Sequence, residues 1–142
     1  MNTNENNIQL ETINNYINLY NNLNNIDLKY SKDSFLEFVY TMAPTLVSDW
    51  KMGRHIEVIS KKLQQLESGE IKRLMVFLPP RSSKSVICSK LFPAWYIGRN
   101  PEHEILTVSH SDQLSSDFGR SVRDIVNDET FQNIFKGVQL RS

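Results

Sequence analysis

Apolar positions in the first half of the chain recur every three or four residues, and this spacing predicts amphipathic helices. One helix is predicted over 10–23, a second from Asp33 or Ser34 to Ala43-Pro44, and a third over 55–67. The second helix should end there because the residue before a proline avoids the helical region. The apolar faces of these helices comprise Leu10, Ile13, Ile17, Tyr20 and Leu23; Phe35, Phe38, Val39 and Met42; and Ile56, Ile59, Leu63 and Leu66.

In the second half of the chain, short apolar runs alternate with helical stripes. Residues 71–78 include five consecutive apolar residues and precede Pro79-Pro80, which predicts a strand buried on both faces. The further predicted elements are a helix from Lys84 to about Tyr96 that Pro93 kinks or breaks, a strand over 104–109, and a helix from Asp112 to about Val126. This order of strand, loop, helix, strand and helix predicts an α/β fold with a parallel sheet flanked by helices.

The predicted sheet has two strands, which are too few for a stable sheet covered by helices. We therefore expect the chain to be the front part of a longer domain. Residues 1–50 are interpreted as a helical, Asn-rich N-terminal extension, since eleven of the first 25 residues are Asn. Residues 51–142 are interpreted as the front part of the α/β domain, incomplete at its C-terminus.

Composition narrows the class of protein. Lys+Arg and Asp+Glu both number 16, so a polycation that coats nucleic acid is excluded. The charges are nevertheless uneven, because residues 51–90 hold nine basic and three acidic residues. The single cysteine, Cys88, cannot form an internal disulfide, which fits a reducing cytoplasm. No apolar run approaches the ~18–20 residues that a membrane helix needs, and the N-terminus has no apolar signal segment.

The most informative chemistry lies in the loop between the first predicted strand and the helix at Lys84. Its sequence is PPRSSKS, and Lys84-Ser85 match the last two positions of the phosphate loop G-x-x-x-x-G-K-[ST]. Leu78 and Ser83 stand where that pattern has glycines. A helix N-terminus offers unpaired amides and partial positive charge, which suit a polyphosphate.

Side chains of this loop add to that chemistry. Lys84 can reach the β- and γ-phosphates, the Ser85 hydroxyl can ligate Mg²⁺, and Arg81 offers a planar fork of donors to phosphate oxygens. Ser82 and Ser83 are small enough to let the backbone approach a ligand closely. The alternative interpretation is a polar turn that does no more than cap a helix.

From Arg54 to about Leu140 the chain resembles the N-terminal ATPase region of the large terminase subunit of tailed double-stranded DNA viruses. The resemblance is carried by the order and spacing of several stretches. These are Arg54-His55 and the following helix, 68–74 (SGEIKRL), 79–85 (PPRSSKS), 92–101 (FPAWYIGRNP), 105–111 (ILTVSHS) and 118–123 (FGRSVR).

The resemblance implies a partial P-loop NTPase that binds ATP and Mg²⁺. By it, residues Pro80 to Ser85 would hold the phosphates, Ser85 would ligate Mg²⁺, and His55 would lie near the adenine. Arg81 and Lys84 would be the catalytic residues, with Arg81 sensing the γ-phosphate. The departure from the family pattern is Ser83, where members often carry Gly.

The resemblance further implies a DNA-packaging motor that couples ATP hydrolysis to translocation of double-stranded DNA into a capsid. Its partners would be double-stranded DNA, the portal protein and the small terminase subunit, in a homo-oligomeric ring in the host cell cytoplasm, with no membrane. The complete protein would also carry a nuclease domain.

After residue 85 the sequence has no apolar strand ending in two adjacent acidic residues, which such an ATPase needs to orient Mg²⁺ and activate water. We therefore expect this chain alone not to hydrolyse ATP efficiently. Two alternatives remain open. One is a fragment of another P-loop NTPase, such as a helicase-like ATPase or a kinase. The other is a truncated, non-catalytic domain that binds anions or partner proteins.

Overall fold

The computed structural model describes residues 14–15 and 28–140. Asn14 and Asn15 are helical, and the rest of the helix predicted over 10–23 lies outside the described residues. The described part of the chain contains helices and irregular segments and no β-strand. Its elements are helical residues 28–33, α1 (Phe35–Leu46), α2 (Arg54–Glu67), α3 (Lys84–Val86), a π-helical turn (Ile87–Leu91), α4 (Phe92–Arg99), α5 (Asp112–Asn127) and α6 (Glu129–Ile134).

The predicted α/β fold, with the parallel sheet of a partial P-loop NTPase, is therefore wrong for the structure described. Residues 71–78 and 104–109 have the composition of strands, but a strand exists only through hydrogen bonds to a neighbouring strand. Among the described residues, the backbone groups of 72–78 and 104–108 form no backbone hydrogen bonds. Both segments instead run irregularly along the helical part of the molecule.

Helix α1 begins as predicted and ends later than predicted. Ser34 is its N-cap, since the Ser34 hydroxyl accepts a hydrogen bond from the amide of Glu37. The predicted end at Ala43-Pro44 is wrong, because the helix continues to Leu46 with Pro44 inside it. The turn that contains the proline is closed by the Val47 amide, which donates to the Ala43 carbonyl at 3.0 Å.

A single apolar core joins helices from both halves of the chain. Phe35 of α1 lies edge-on to Phe92 with 5.3 Å between ring centroids, and Phe38 lies edge-on to Phe131 at 6.2 Å. The indole N–H of Trp95 donates to the Ser31 carbonyl at 3.1 Å inside this core. The proposed division of the chain at residue 50 stays a prediction, with both sides contributing to this core.

The helix predicted from Lys84 starts at that residue and runs on to Arg99 as three consecutive segments. The amide of Phe92 donates to the carbonyl of Ile87, five residues back, which is the hydrogen bond of a π-turn. Pro93 follows directly and is buried. Because proline lacks an N–H and its ring crowds the carbonyl four residues back, we attribute the widened turn to Pro93. The predicted break at Pro93 thus takes the form of a π-turn.

The helices of the described residues are all too short or too polar to cross a bilayer.

Candidate phosphate-binding loop

The loop at 79–83 connects an irregular apolar segment to the helix that begins at Lys84. Leu74, Val76 and Leu78 of that segment pack against the core, which anchors the chain before the loop. Pro79 and Pro80, which follow, are exposed. The loop therefore starts from a fixed point and ends at a helix, although no strand precedes it.

Two residues of this loop adopt left-handed backbone conformations. Arg81 has a φ of 62° and Ser83 has a φ of 60°, and both are non-glycine residues. This conformation brings the Cβ atom close to the following carbonyl oxygen and costs roughly 1–2 kcal/mol for each such residue. Ser82 supports the turn, since its hydroxyl donates to the Pro79 carbonyl at 2.6 Å. The position at which the phosphate-loop pattern has its second glycine, Ser83, is thus one whose backbone favours glycine.

The backbone amides from Arg81 to Val86 are unpaired in the part of the chain that the structure describes. The first helical hydrogen bond is donated by the Ile87 amide to the Ser83 carbonyl at 3.1 Å. None of the six preceding amides donates to a described backbone or side-chain acceptor. Successive amides around left-handed residues form concave anion sites, and the helix dipole adds positive potential there. The loop therefore presents a row of amide donors that have no acceptor among the described residues and can bind an anion.

The charged side chains of the loop add to this positive potential. Arg81 and Ser85 are exposed and Lys84 is half-buried. Within 28–140, neither Arg81 nor Lys84 forms an ion pair with a carboxylate. Both cations therefore remain available for an anionic ligand.

Cys88 lies one helical turn after Lys84. It is half-buried. Burial raises the pKa of the Cys88 thiol, and the positive charge of Lys84 partly offsets that rise by lowering it. Lys84 and Cys88 are thus electrostatically linked across one turn of the helix.

His55, the remaining predicted site residue, is exposed and is the second residue of α2. It lines a cavity of about 490 Å³ together with Arg54, Lys62 and the segment 74–78 that leads into the loop. The structure therefore brings His55 beside the chain that precedes Pro79. No hydrogen bond or ion pair among the described residues joins His55 to 79–85.

The sequence predicts unpaired amides only in the first turn of the helix that begins at Lys84. It does not predict that the amides of the preceding loop residues are unpaired as well. The only signal for it in the sequence is the pair Ser82-Ser83 before Lys84, two small residues that tolerate a close approach of the backbone to a ligand. For the described residues, no group of three or more His, Cys, Asp or Glu side chains is placed to hold a metal ion. Ser85 as a ligand of Mg²⁺ stays a prediction.

Comparisons of this chain with protein-family models, with curated proteins and with solved structures found no match.

Proposed function

We propose that residues 79–85 bind the phosphates of ATP together with Mg²⁺. The observation that carries the proposal is the row of six amides from Arg81 to Val86 that have no acceptor within 28–140, in a loop with left-handed residues at Arg81 and Ser83. Such a row is complementary to the oxygens of a polyphosphate. The proposal depends on this loop and not on a parallel sheet.

In the proposed complex, each loop residue has a distinct task. Lys84 binds the β- and γ-phosphates and Arg81 binds the γ-phosphate, where its planar fork can donate two hydrogen bonds. Pro80, Ser82 and Ser83 shape the loop around the phosphates. The Ser85 hydroxyl ligates Mg²⁺, whose charge offsets that of the phosphate oxygens when it is bound. His55, on the cavity beside 74–78, is proposed to contact the base.

The proposal for this chain is limited to binding. Hydrolysis needs one carboxylate that orients Mg²⁺ and another group that activates water, and neither role is assigned to a residue here. Lys84 and Arg81 would stabilise the negative charge that develops during phosphoryl transfer once such groups are supplied.

The wider role that we propose is in viral DNA packaging, as an ATP-binding part of a large terminase subunit. It is supported by the order of the stretches from Arg54 to Leu140 and by the anion-binding geometry of the loop. The proposed partners are double-stranded DNA, the portal protein and the small terminase subunit, in the host cell cytoplasm. Binding to a purified portal ring or small subunit tests this wider role, and binding to neither would contradict it.

The nucleotide-binding proposal is tested by titrating the full chain with a fluorescent ATP analogue in the presence of Mg²⁺. The Lys84→Ala variant should bind at least about tenfold more weakly, because it loses a charge-assisted hydrogen bond to phosphate. Lys90→Ala is the matched control, since Lys90 lies further along the same helical run, outside the loop, and should leave affinity unchanged. Equal affinities in wild type and Lys84→Ala would overturn the proposal.

The non-catalytic alternative is an anion-binding domain that uses the same loop. Comparing the binding of different ligands distinguishes it from a nucleotide-binding domain. If inorganic tripolyphosphate competes as well as ATP, and if His55→Ala has no effect on either, the site recognises phosphates alone. If ATP binds more tightly and His55→Ala removes that difference, the site recognises a nucleotide.

A further inference from the structure

Phe77 exposes an aromatic ring two residues before the candidate phosphate loop. Its side chain is 81% exposed, whereas its neighbours Val76 and Leu78 pack against the core. Within 28–140, the Phe77 ring pairs with no other aromatic ring. The backbone around Phe77 is therefore anchored, while a face of its ring is free to cover a flat ligand.

The ring of Phe77 lies at a cavity that α2 lines from the other side. Phe77 and His55 both contribute to this cavity of about 490 Å³, and so do Val58 and Ile59 of α2. Ligand sites in proteins are concave, several hundred Å³ in volume, and lined mainly by apolar and aromatic side chains. The size and lining of this cavity therefore suit a planar ring system.

The cavity and the candidate phosphate loop are close together along the chain. Phe77 precedes Arg81 by four residues, and the intervening turn is held by the Ser82 hydroxyl, which donates to the Pro79 carbonyl. Four residues of extended chain span at most about 14 Å. A nucleoside triphosphate covers such a distance from its base to its γ-phosphate. One nucleotide can therefore reach both places.

The described side chains at this cavity include charged hydrogen-bond donors and no carboxylate. Arg54 and Lys62 supply these donors, and Arg54 forms no ion pair with a described carboxylate. The N7 atom is an acceptor in adenine and guanine alike, whereas pyrimidines have no such atom. An arginine at this position therefore favours a purine without requiring adenine.

We propose that Phe77 stacks on the base of a bound nucleoside triphosphate and makes the site selective for purines over pyrimidines. The stacking role rests on the proposed phosphate site at 79–85 and extends that site to the base. A purine has two fused rings and covers more of an aromatic side chain than the single ring of a pyrimidine does, so it gains more from stacking. Because Arg54 can donate to N7 of either purine, ATP and GTP should bind with similar affinity.

Isothermal titration calorimetry of the full chain with Mg²⁺ tests the selectivity. The ligands are ATP, GTP, CTP, UTP and inorganic tripolyphosphate. ATP and GTP should agree within about threefold, and both should bind at least about threefold more tightly than CTP or UTP, with tripolyphosphate the weakest. Equal affinities for purine and pyrimidine nucleotides overturn the proposal, and so does a tenfold or greater preference for ATP over GTP.

Replacements of Phe77 isolate the contribution of its ring. Phe77→Ala and Phe77→Leu should each weaken binding of ATP and GTP about tenfold and leave the affinity for tripolyphosphate unchanged, because leucine is apolar but has no ring face. Phe77→Trp should keep the affinity of the wild type, and the fluorescence of the introduced indole should be quenched by ATP and not by tripolyphosphate. Leu106→Ala is the matched control, since Leu106 is 88% exposed and lies at a different cavity.

The outcomes separate a failure of the stacking role from a failure of the phosphate site. Nucleotide binding that is unchanged in Phe77→Ala and Phe77→Leu overturns the stacking role and leaves the phosphate site intact. A loss of tripolyphosphate affinity in Phe77→Ala also overturns it, because the ring would then support the loop instead of contacting a base. If neither ATP nor tripolyphosphate binds to the wild type, both proposals fall. Circular dichroism of each variant establishes that its helices are retained.

Discussion

Arg99 Nε lies 3.0 Å from Glu67 Oε1, and this ion pair joins the last residues of α4 and α2. The guanidinium also donates to the Lys32 carbonyl at 3.1 Å and lies 5.0 Å from the centre of the Trp95 ring. Three chain segments therefore meet at one cation. Arg99 therefore serves to hold the fold together.

Replacing Arg99 should destabilise the protein far more than replacing an exposed arginine. Arg99→Met should lower the free energy of unfolding by about 1–3 kcal/mol, because Glu67 is mostly buried and would lose its charged partner. Arg120→Met is the control, since the pair between Arg120 and Asp117 is exposed and should contribute about 0.5 kcal/mol or less. Urea denaturation measures both, and equal losses would contradict the assigned role of Arg99.

Glycine at position 83 should stabilise the loop. Ser83→Gly should raise the free energy of unfolding by about 1 kcal/mol, because glycine adopts a φ of 60° without a steric penalty. Ser82→Gly is the matched control. Its φ is not positive and its hydroxyl donates to the Pro79 carbonyl, so the change should cost about 0.5–1.5 kcal/mol. Thermal denaturation of the two variants should therefore shift in opposite directions, and a shared sign would contradict the loop geometry.

Gly98 permits a close approach of α4 to the ring of Phe135. A Cβ atom at residue 98 would lie 2.6 Å from Phe135 Cδ2. Gly98→Ala should therefore cost about 1–3 kcal/mol of stability, since the buried Phe135 has to move. Gly119→Ala in α5 is the control, because nothing lies within 4 Å of the added carbon, and alanine should stabilise the helix by about 0.5–1 kcal/mol. Stability changes of the same sign in the two variants would exclude this packing.

The pKa of the Cys88 thiol predicts how the stability of the protein changes with pH. Burial raises the pKa of the folded thiol, so the folded chain holds this proton more tightly than the unfolded chain. The resulting stabilisation is complete below the ordinary thiol pKa and is lost as pH rises through the folded pKa. Wild type should therefore lose more stability than Cys88→Ala as the pH is raised above the ordinary thiol range.

The same pKa predicts thiol reactivity, because the thiolate is the reacting form. Lys84→Ala removes the charge that lowers the pKa of Cys88, so alkylation by iodoacetamide at neutral pH should become slower. Since the chain has one cysteine, the measured rate belongs to Cys88 alone. A rate that is unchanged or faster in Lys84→Ala would contradict the closeness of the two side chains.

Predictions from local sequence succeeded where an element forms its own hydrogen bonds. The helix start predicted at Asp33 or Ser34 is confirmed with Ser34 as the N-cap, and so are the helix starts at Lys84 and Asp112. Each depends on residues within one or two turns, so the chain itself carries the information. The helix end predicted at Pro44 was wrong because a proline in the last turn of a helix removes one donor, and the next turn still closed.

The candidate site was predictable in part. Lys84 and Ser85 follow from the sequence because their types and spacing suit phosphate and Mg²⁺. The left-handed conformations of Arg81 and Ser83 were not predictable, because a non-glycine residue adopts them only when the surrounding structure compensates their cost. The position of His55 beside the segment before Pro79 likewise depends on how α2 packs against 74–78.

The sequence by itself determined most of the helices, their apolar faces, and the residue types of the candidate phosphate loop, because these depend on neighbours three or four residues away. Only the tertiary structure decided the state of 71–78 and 104–109. Their apolar, β-branched composition permits a strand, but strand pairing requires a second extended chain in register. The described chain packs one face of 74–78 on helices and leaves the backbone groups of 72–78 and 104–108 without backbone partners among the described residues, so the result is a helical core with two irregular segments.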